Sequence, residues 1–69
     1  MKPAELLRRL RRVATRRGWE LEVMEGSNHT RLRLNGRRST VGRHAEDIKT
    51  GTFHGILKQL GIARAELED

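Results

Sequence analysis

The side chains able to do chemistry in this chain are three histidines and a surplus of arginine, with no cysteine among the 69 residues. His29 stands out by its neighbours. It follows Gly26-Ser27-Asn28 and begins a stretch in which Arg31 and Arg33 alternate with Thr30, Leu32 and Leu34. An imidazole ordinarily titrates near neutrality and can accept a proton at physiological pH, while guanidinium forks suit phosphate oxygens. Together they form a minimal set for cutting RNA through its own 2′-hydroxyl: the imidazole takes the hydroxyl proton and the arginines stabilise charge on the five-coordinate phosphorus. A strand histidine among arginines is also, in most proteins, an ordinary surface residue. The residue types alone leave both readings open.

The other candidates carry less. His44, beside Arg43, reads as a general acid, a phosphate contact or a solvated side chain, and His54 follows Phe53 at the edge of an apolar stripe. The histidines lack the paired spacing of a metal site, so neither metal nor cofactor is expected. No G-x₄-G-K-[ST] or G-x-G-x-x-G motif occurs, which excludes P-loop and dinucleotide-binding folds. Lys49-Thr50-Gly51-Thr52, opening a helix, offers backbone amides to a phosphate, or simply caps that helix.

The elements that must position these groups follow from periodicity. Leu6, Leu7, Leu10, Val13 and Ala14 form the apolar stripe of a helix over Pro3–Arg17, with Pro3 in the first turn and Gly18 as its stop. From Trp19 to Glu25 the period changes to two, and Gly26-Ser27 signals a turn. A second strand carries Thr30, Leu32 and Leu34 on one face and His29, Arg31 and Arg33 on the other. Asn35-Gly36 favours a type I′ hairpin into a third strand, Arg37–Val41.

The two hairpins predict a register. Asn35-Gly36 sets Leu34 opposite Arg37, Leu32 opposite Ser39 and Thr30 opposite Val41. A turn centred on Gly26-Ser27 sets Val23 opposite Thr30, Leu21 opposite Leu32 and Trp19 opposite Leu34, with Glu22 across from Arg31 and Glu20 from Arg33. Arg38 and Thr40 then share the outward face with His29. Gly42–Lys49 reads as a loop. Phe53, Ile56, Leu57 and Leu60 mark a second helix with Thr50 or Thr52 as N-cap, Gly61 as stop and Ile62 as the apolar contact of a Schellman ending. A last turn falls within Ala63–Asp69. The fold class is α+β, a single domain over residues 1–69 in the order α-β-β-β-α, with both helices covering one face of a three-stranded antiparallel sheet.

Composition bounds the function. A chain of this length holds one domain and excludes a two-domain enzyme. Fifteen Lys and Arg against nine Asp and Glu leave a net charge of +6, and twelve of the bases are arginine. Such a surface suits nucleic acid or an acidic protein. No apolar run approaches a spanning helix or a signal-peptide core, so a membrane role is not expected, and the absence of cysteine fits a reducing cytoplasm.

Gly26-Ser27-Asn28-His29, the Asn35-Gly36-Arg37-Arg38 hairpin, Arg43-His44, Ile48-Lys49 with Gly51-Thr52, and Ile56-Leu57-Lys58-Gln59-Leu60-Gly61 occur in order. Taken together, from about Ala4 to Ile62, they closely resemble the HicA (YcfA-like) toxins, small mRNA interferases of toxin–antitoxin systems. The resemblance implies a double-stranded-RNA-binding-domain-like fold and metal-independent cleavage of mRNA by the histidine of a G-S-x-H motif, here His29. In that mapping Gly26 and Ser27 form the turn that presents it; the residues themselves add the expectation that Arg31, Arg33 and Arg38 position phosphate, with Lys49 and the arginines of the first helix adding salt-sensitive affinity for RNA. The resemblance also implies a HicB-type antitoxin that masks the site. Relatives commonly read Val-Pro-x-His where this chain has Val41-Gly42-Arg43-His44, and some carry histidine where Asn28 stands, so the assignment rests on His29.

Overall fold

The computed structural model describes residues 1–43 and 46–68. His44 lies outside them, as does Asp69. Helix α1 spans Pro3–Arg17, as its stripe predicts. Lys2, forced extended by the following proline, precedes it, and Gly18 ends it in the left-handed region at φ +68°, its amide bonded to the carbonyls of Ala14 and Thr15. Leu6, Leu10, Val13 and Ala14 form the buried stripe.

Three strands follow, β1 (Leu21–Glu25), β2 (His29–Leu34) and β3 (Arg37–Gly42), in an antiparallel sheet of order β1-β2-β3. The β2–β3 register is the expected one, Leu34 facing Arg37, Leu32 facing Ser39 and Thr30 facing Val41. Asn35 and Gly36 both take positive φ, 51° and 82°, as a type I′ turn requires.

The β1–β2 register differs from the expected one by two residues. Leu21 pairs with Leu34 and Val23 with Leu32, while Glu22 faces Arg33 and Met24 faces Arg31. The turn residues are Ser27-Asn28, closed by a 2.8 Å bond from the Gly26 amide to the His29 carbonyl. Gly26 is not among the residues at positive φ. Its lack of a side chain serves close approach instead, because a Cβ there would stand 3.1 Å from that same carbonyl oxygen. Reading the glycine as a turn centre therefore misplaces the hairpin. Both faces survive the error, since a slip of two preserves side-chain parity. Trp19 falls before β1, its ring under the Arg17 guanidinium at 4.8 Å, and so does Glu20.

Helix α2 (Thr50–Leu60) begins earlier than its apolar stripe. Lys49 is the N-cap, with no side-chain cap bond, and Thr50 and Thr52 lie inside the first turn. The chain is fixed just upstream, where buried Ile48 donates its amide to the Met1 carbonyl. Gly61 ends α2 at φ +71°, and Ile62, buried, donates to Leu57 as the Schellman geometry demands. One further turn, α3 (Arg64–Leu67), closes the described chain.

Leu6, Leu10 and Val13 of α1, Leu32 and Leu34 of β2, and Ile56, Leu57 and Leu60 of α2 share a single core, so both helices lie on the inward sheet face. Inside that layer Ser39 hydrogen-bonds Gln59 at 2.6 Å, linking β3 to α2. The opposite sheet face is left uncovered.

Candidate nucleic-acid interface

The uncovered face is cationic because alternation makes it so. On β2 exposed His29, Arg31 and Arg33 interleave with buried Thr30, Leu32 and Leu34. On β3 Arg38 and Thr40 point outward while Ser39 and Val41 are buried. Register then brings Arg33 opposite Arg38, Arg31 opposite Thr40 and His29 opposite Gly42. Arg33 has a nearby acid, with Nε 3.7 Å from Glu22 Oε2. Arg31 and Arg38 form no ion pair among the described residues.

His29 is exposed at the first position of β2, where the Gly26–His29 turn delivers it. Met24, Glu25, Gly26, Ser27, Asn28, His29 and Arg31 line a shallow cavity of about 310 Å³ at this end of the sheet. An imidazole at its rim with a guanidinium two residues along can receive a proton from a ribose hydroxyl while phosphate is held beside it.

Sequence patterning assigns Arg43 no structural role, since it is one base among many. In the fold its amide donates to Asn28 (3.0 Å), its Nη1 donates to the Gly26 carbonyl (2.7 Å), and its Nη2 lies 3.7 Å from Glu25. One residue thus clips both sides of the turn that carries His29.

The structure brings together Gly26, Ser27, His29, Arg31, Arg33 and Arg38, but not Lys49, which precedes α2 in the helical layer. Arg37, of the Arg37-Arg38 pair, packs its guanidinium against Gly61 at the C-terminal end of α2, where the helix dipole favours a cation. His54 is exposed on α2, its ring 5.8 Å from that of Phe53. Among the described residues no cluster of three or more His, Cys, Asp or Glu is placed to hold a metal ion. No helix among them is long and apolar enough to cross a membrane.

The arginines of α1 divide by task. Arg8 and Arg9 hydrogen-bond Glu5, and their side chains hold its carboxyl down at about 2, below the usual carboxylate range. Arg9 also reaches the Leu67 carbonyl, Arg16 the Glu66 carbonyl and Arg17 the Glu66 carboxylate, so three cations fasten α3. Arg11 and Arg12 are exposed and form no ion pair among the described residues.

Known proteins are similar to this chain in sequence and fold. Residues 7–62 match the family described as HicA toxin of bacterial toxin-antitoxin. A probable mRNA interferase toxin HicA of Escherichia coli K12 is 48% identical over 44 residues, covering 62% of this chain and 76% of that protein. A probable mRNA interferase HicA 1 of Photorhabdus laumondii is 44% identical over 43 residues, 61% of this chain and 75% of its own. The crystal structure of the Escherichia coli HicAB toxin–antitoxin complex contains a chain of 44% identity that superposes with a TM-score of 0.58 over 78% of this chain and 93% of its own. With the family match spanning most of its length and the fold shared, this chain belongs to the HicA toxin family.

Proposed function

We propose that the protein is the toxin of a toxin–antitoxin pair, acting in the cytoplasm as a metal-independent endoribonuclease that cuts mRNA and so stops translation. The reading is carried by His29, exposed on the same outward face as Arg31, Arg33 and Arg38 in a chain of the HicA family. The His29 imidazole takes the 2′-hydroxyl proton. The freed oxygen attacks the adjacent phosphorus, and the bond to the 5′-oxygen breaks to leave a 2′,3′-cyclic phosphate and, after that oxygen gains a proton, a 5′-hydroxyl. Arg31, Arg33 and Arg38 hold the phosphate and offset its developing charge. Gly26 and Ser27 form the turn that presents the base, while Lys49, Arg11 and Arg12 add attraction for the strand from the helical layer.

A HicB-type antitoxin is the proposed protein partner, since the structurally similar chain was crystallised in a toxin–antitoxin complex. An acidic partner surface over the arginine face would block RNA directly.

The test compares wild type with His29→Ala on RNA in EDTA. Cleavage lost in the variant with RNA binding retained is the expected result. Binding without cleavage in both proteins would instead indicate a non-catalytic RNA-binding module of the same fold. Neither binding nor cleavage would indicate an interaction subunit.

A further inference from the structure

Met24 is an anomaly on this surface. It is 61% exposed, on the outward face of a sheet whose other side chains there are charged or polar. Register places it directly opposite Arg31, so that His29 and Arg33 are its diagonal neighbours on the same face, at about 7–8 Å. It also lines the cavity at whose rim His29 stands.

Away from Arg31, that cavity is poorly suited to phosphate. Glu25 belongs to its lining and brings a negative charge, with Arg43 at 3.7 Å as its ion-pair partner among the described residues. The cationic positions for phosphate lie along the strands, at Arg31, Arg33 and Arg38. A neutral flat group held against the thioether is the better occupant. Asn28, in the same lining, makes no side-chain hydrogen bond among the described residues, and an amide both donates and accepts, as the edge of a nucleobase requires. The volume, about 310 Å³, falls at the small end of the range for ligand sites. Single-stranded RNA is read by splaying out a base, stacking it on an aromatic ring or a guanidinium plane and bonding its edge; here the polarisable Met24 sulfur, with Arg31 opposite it in the ladder, offers the platform.

We infer that this cavity is a nucleobase subsite, in which one unstacked base of the RNA lies on Met24 with its edge against Asn28 while its phosphate rests on Arg31. The inference rests on RNA being the ligand of this face, but not on its being cut. Phosphate contacts are indifferent to sequence, so this subsite is where discrimination among bases arises.

The test measures binding rather than cleavage. Single-stranded RNA with its 2′-hydroxyls methylated is compared with an abasic sugar-phosphate strand of equal length and charge, at fixed ionic strength. For wild type, loss of the bases weakens binding about tenfold, the upper end of what a methionine sulfur gains against a flat ring. Met24→Ser binds the intact strand up to about tenfold more weakly than wild type and shows little further loss on the abasic strand. Met24→Leu restores most of the difference. Because Met24 is exposed, these variants keep their fold, which a thermal melt checks. Equal affinities of wild type and Met24→Ser for both strands would overturn the subsite. Unchanged RNA binding with a weakened antitoxin complex would also overturn it, making Met24 a protein contact. Failure of the cleavage reading appears separately, as RNA cutting that survives His29→Ala.

Discussion

Arg43 Nη1 and the Gly26 carbonyl oxygen are 2.7 Å apart, and this hydrogen bond ties the end of β3 to the turn that begins β2. The guanidinium also lies beside Glu25, so it braces the turn from two directions. Arg43 is therefore a positioning residue. Arg43→Ala is expected to lower kcat for RNA cleavage by about tenfold with KM little changed, since small misplacements of a reacting group are costly. Arg43→Lys, able to supply only one of the two interactions, falls between. Steady-state kinetics with a melting curve for each variant separates positioning from loss of fold.

Gly26→Ala probes the same turn from inside. The added methyl meets the His29 carbonyl at 3.1 Å, and backbone cannot move aside as a flexible side chain can. A destabilisation of about 1 kcal/mol is expected from this crowding, with reduced cleavage. Urea denaturation measures the first effect and an RNA-cutting assay the second.

The salt dependence of RNA binding reports how many phosphates the arginines neutralise. Replacing Arg31 or Arg38 by Gln should reduce the slope of log K against log salt by about 0.7 for each phosphate left without its cation. A titration over several salt concentrations checks this. Arg9→Gln, whose guanidinium is already engaged by Glu5 and Leu67, should leave the slope unchanged.

Glu5 sets an acid limit on α1. Its hydrogen bonds to Arg8 and Arg9 lower its pKa from 4.5 to about 2 in the folded chain. A folded-state value below the unfolded one means stabilisation that is complete above pH 4.5 and disappears as the pH falls toward 2. Glu5→Gln should flatten that part of the stability profile, as followed by circular dichroism across the acid range. Well above the carboxylate range the shapes of the two profiles should coincide.

The end of α2 gives a prediction about the fold alone. Gly61 sits at φ +71° with the Arg37 side chain 2.8 Å from where a Cβ would be. Gly61→Ala must adopt a left-handed conformation and displace that guanidinium, a cost of about 1–2 kcal/mol. Thermal denaturation checks it.

Most of the fold was legible because its signals are local. The stripe of α1, the Asn35-Gly36 turn and the Gly61 stop each state their structure within a few residues. What escaped was information held between segments. The β1–β2 register depends on how closely Gly26 approaches His29, which no pattern of residue types records. The start of α2 depends on Ile48 being tied to Met1, an interaction between residues far apart in the chain. The same limit applies to the candidate site. Alternation alone puts His29, Arg31, Arg33 and Arg38 on one face, but Arg43 gains its role only when β3 returns beside the turn. Conversely, the basic run of α1 has the pattern of one uniform surface, yet Arg9, Arg16 and Arg17 are spent on α3.

Arg33 and Arg38 face each other directly across the ladder, and like charges in that relation oppose the pairing of their strands. The sheet is thus assembled against a repulsion that Glu22, at 3.7 Å from one of the two, only partly relieves. Any polyanion laid over the face removes the remainder and raises the melting temperature as it binds. RNA and an acidic protein partner, if both bind this face as proposed, would then draw on the same stored tension, leaving the unbound chain the least comfortable form of the molecule.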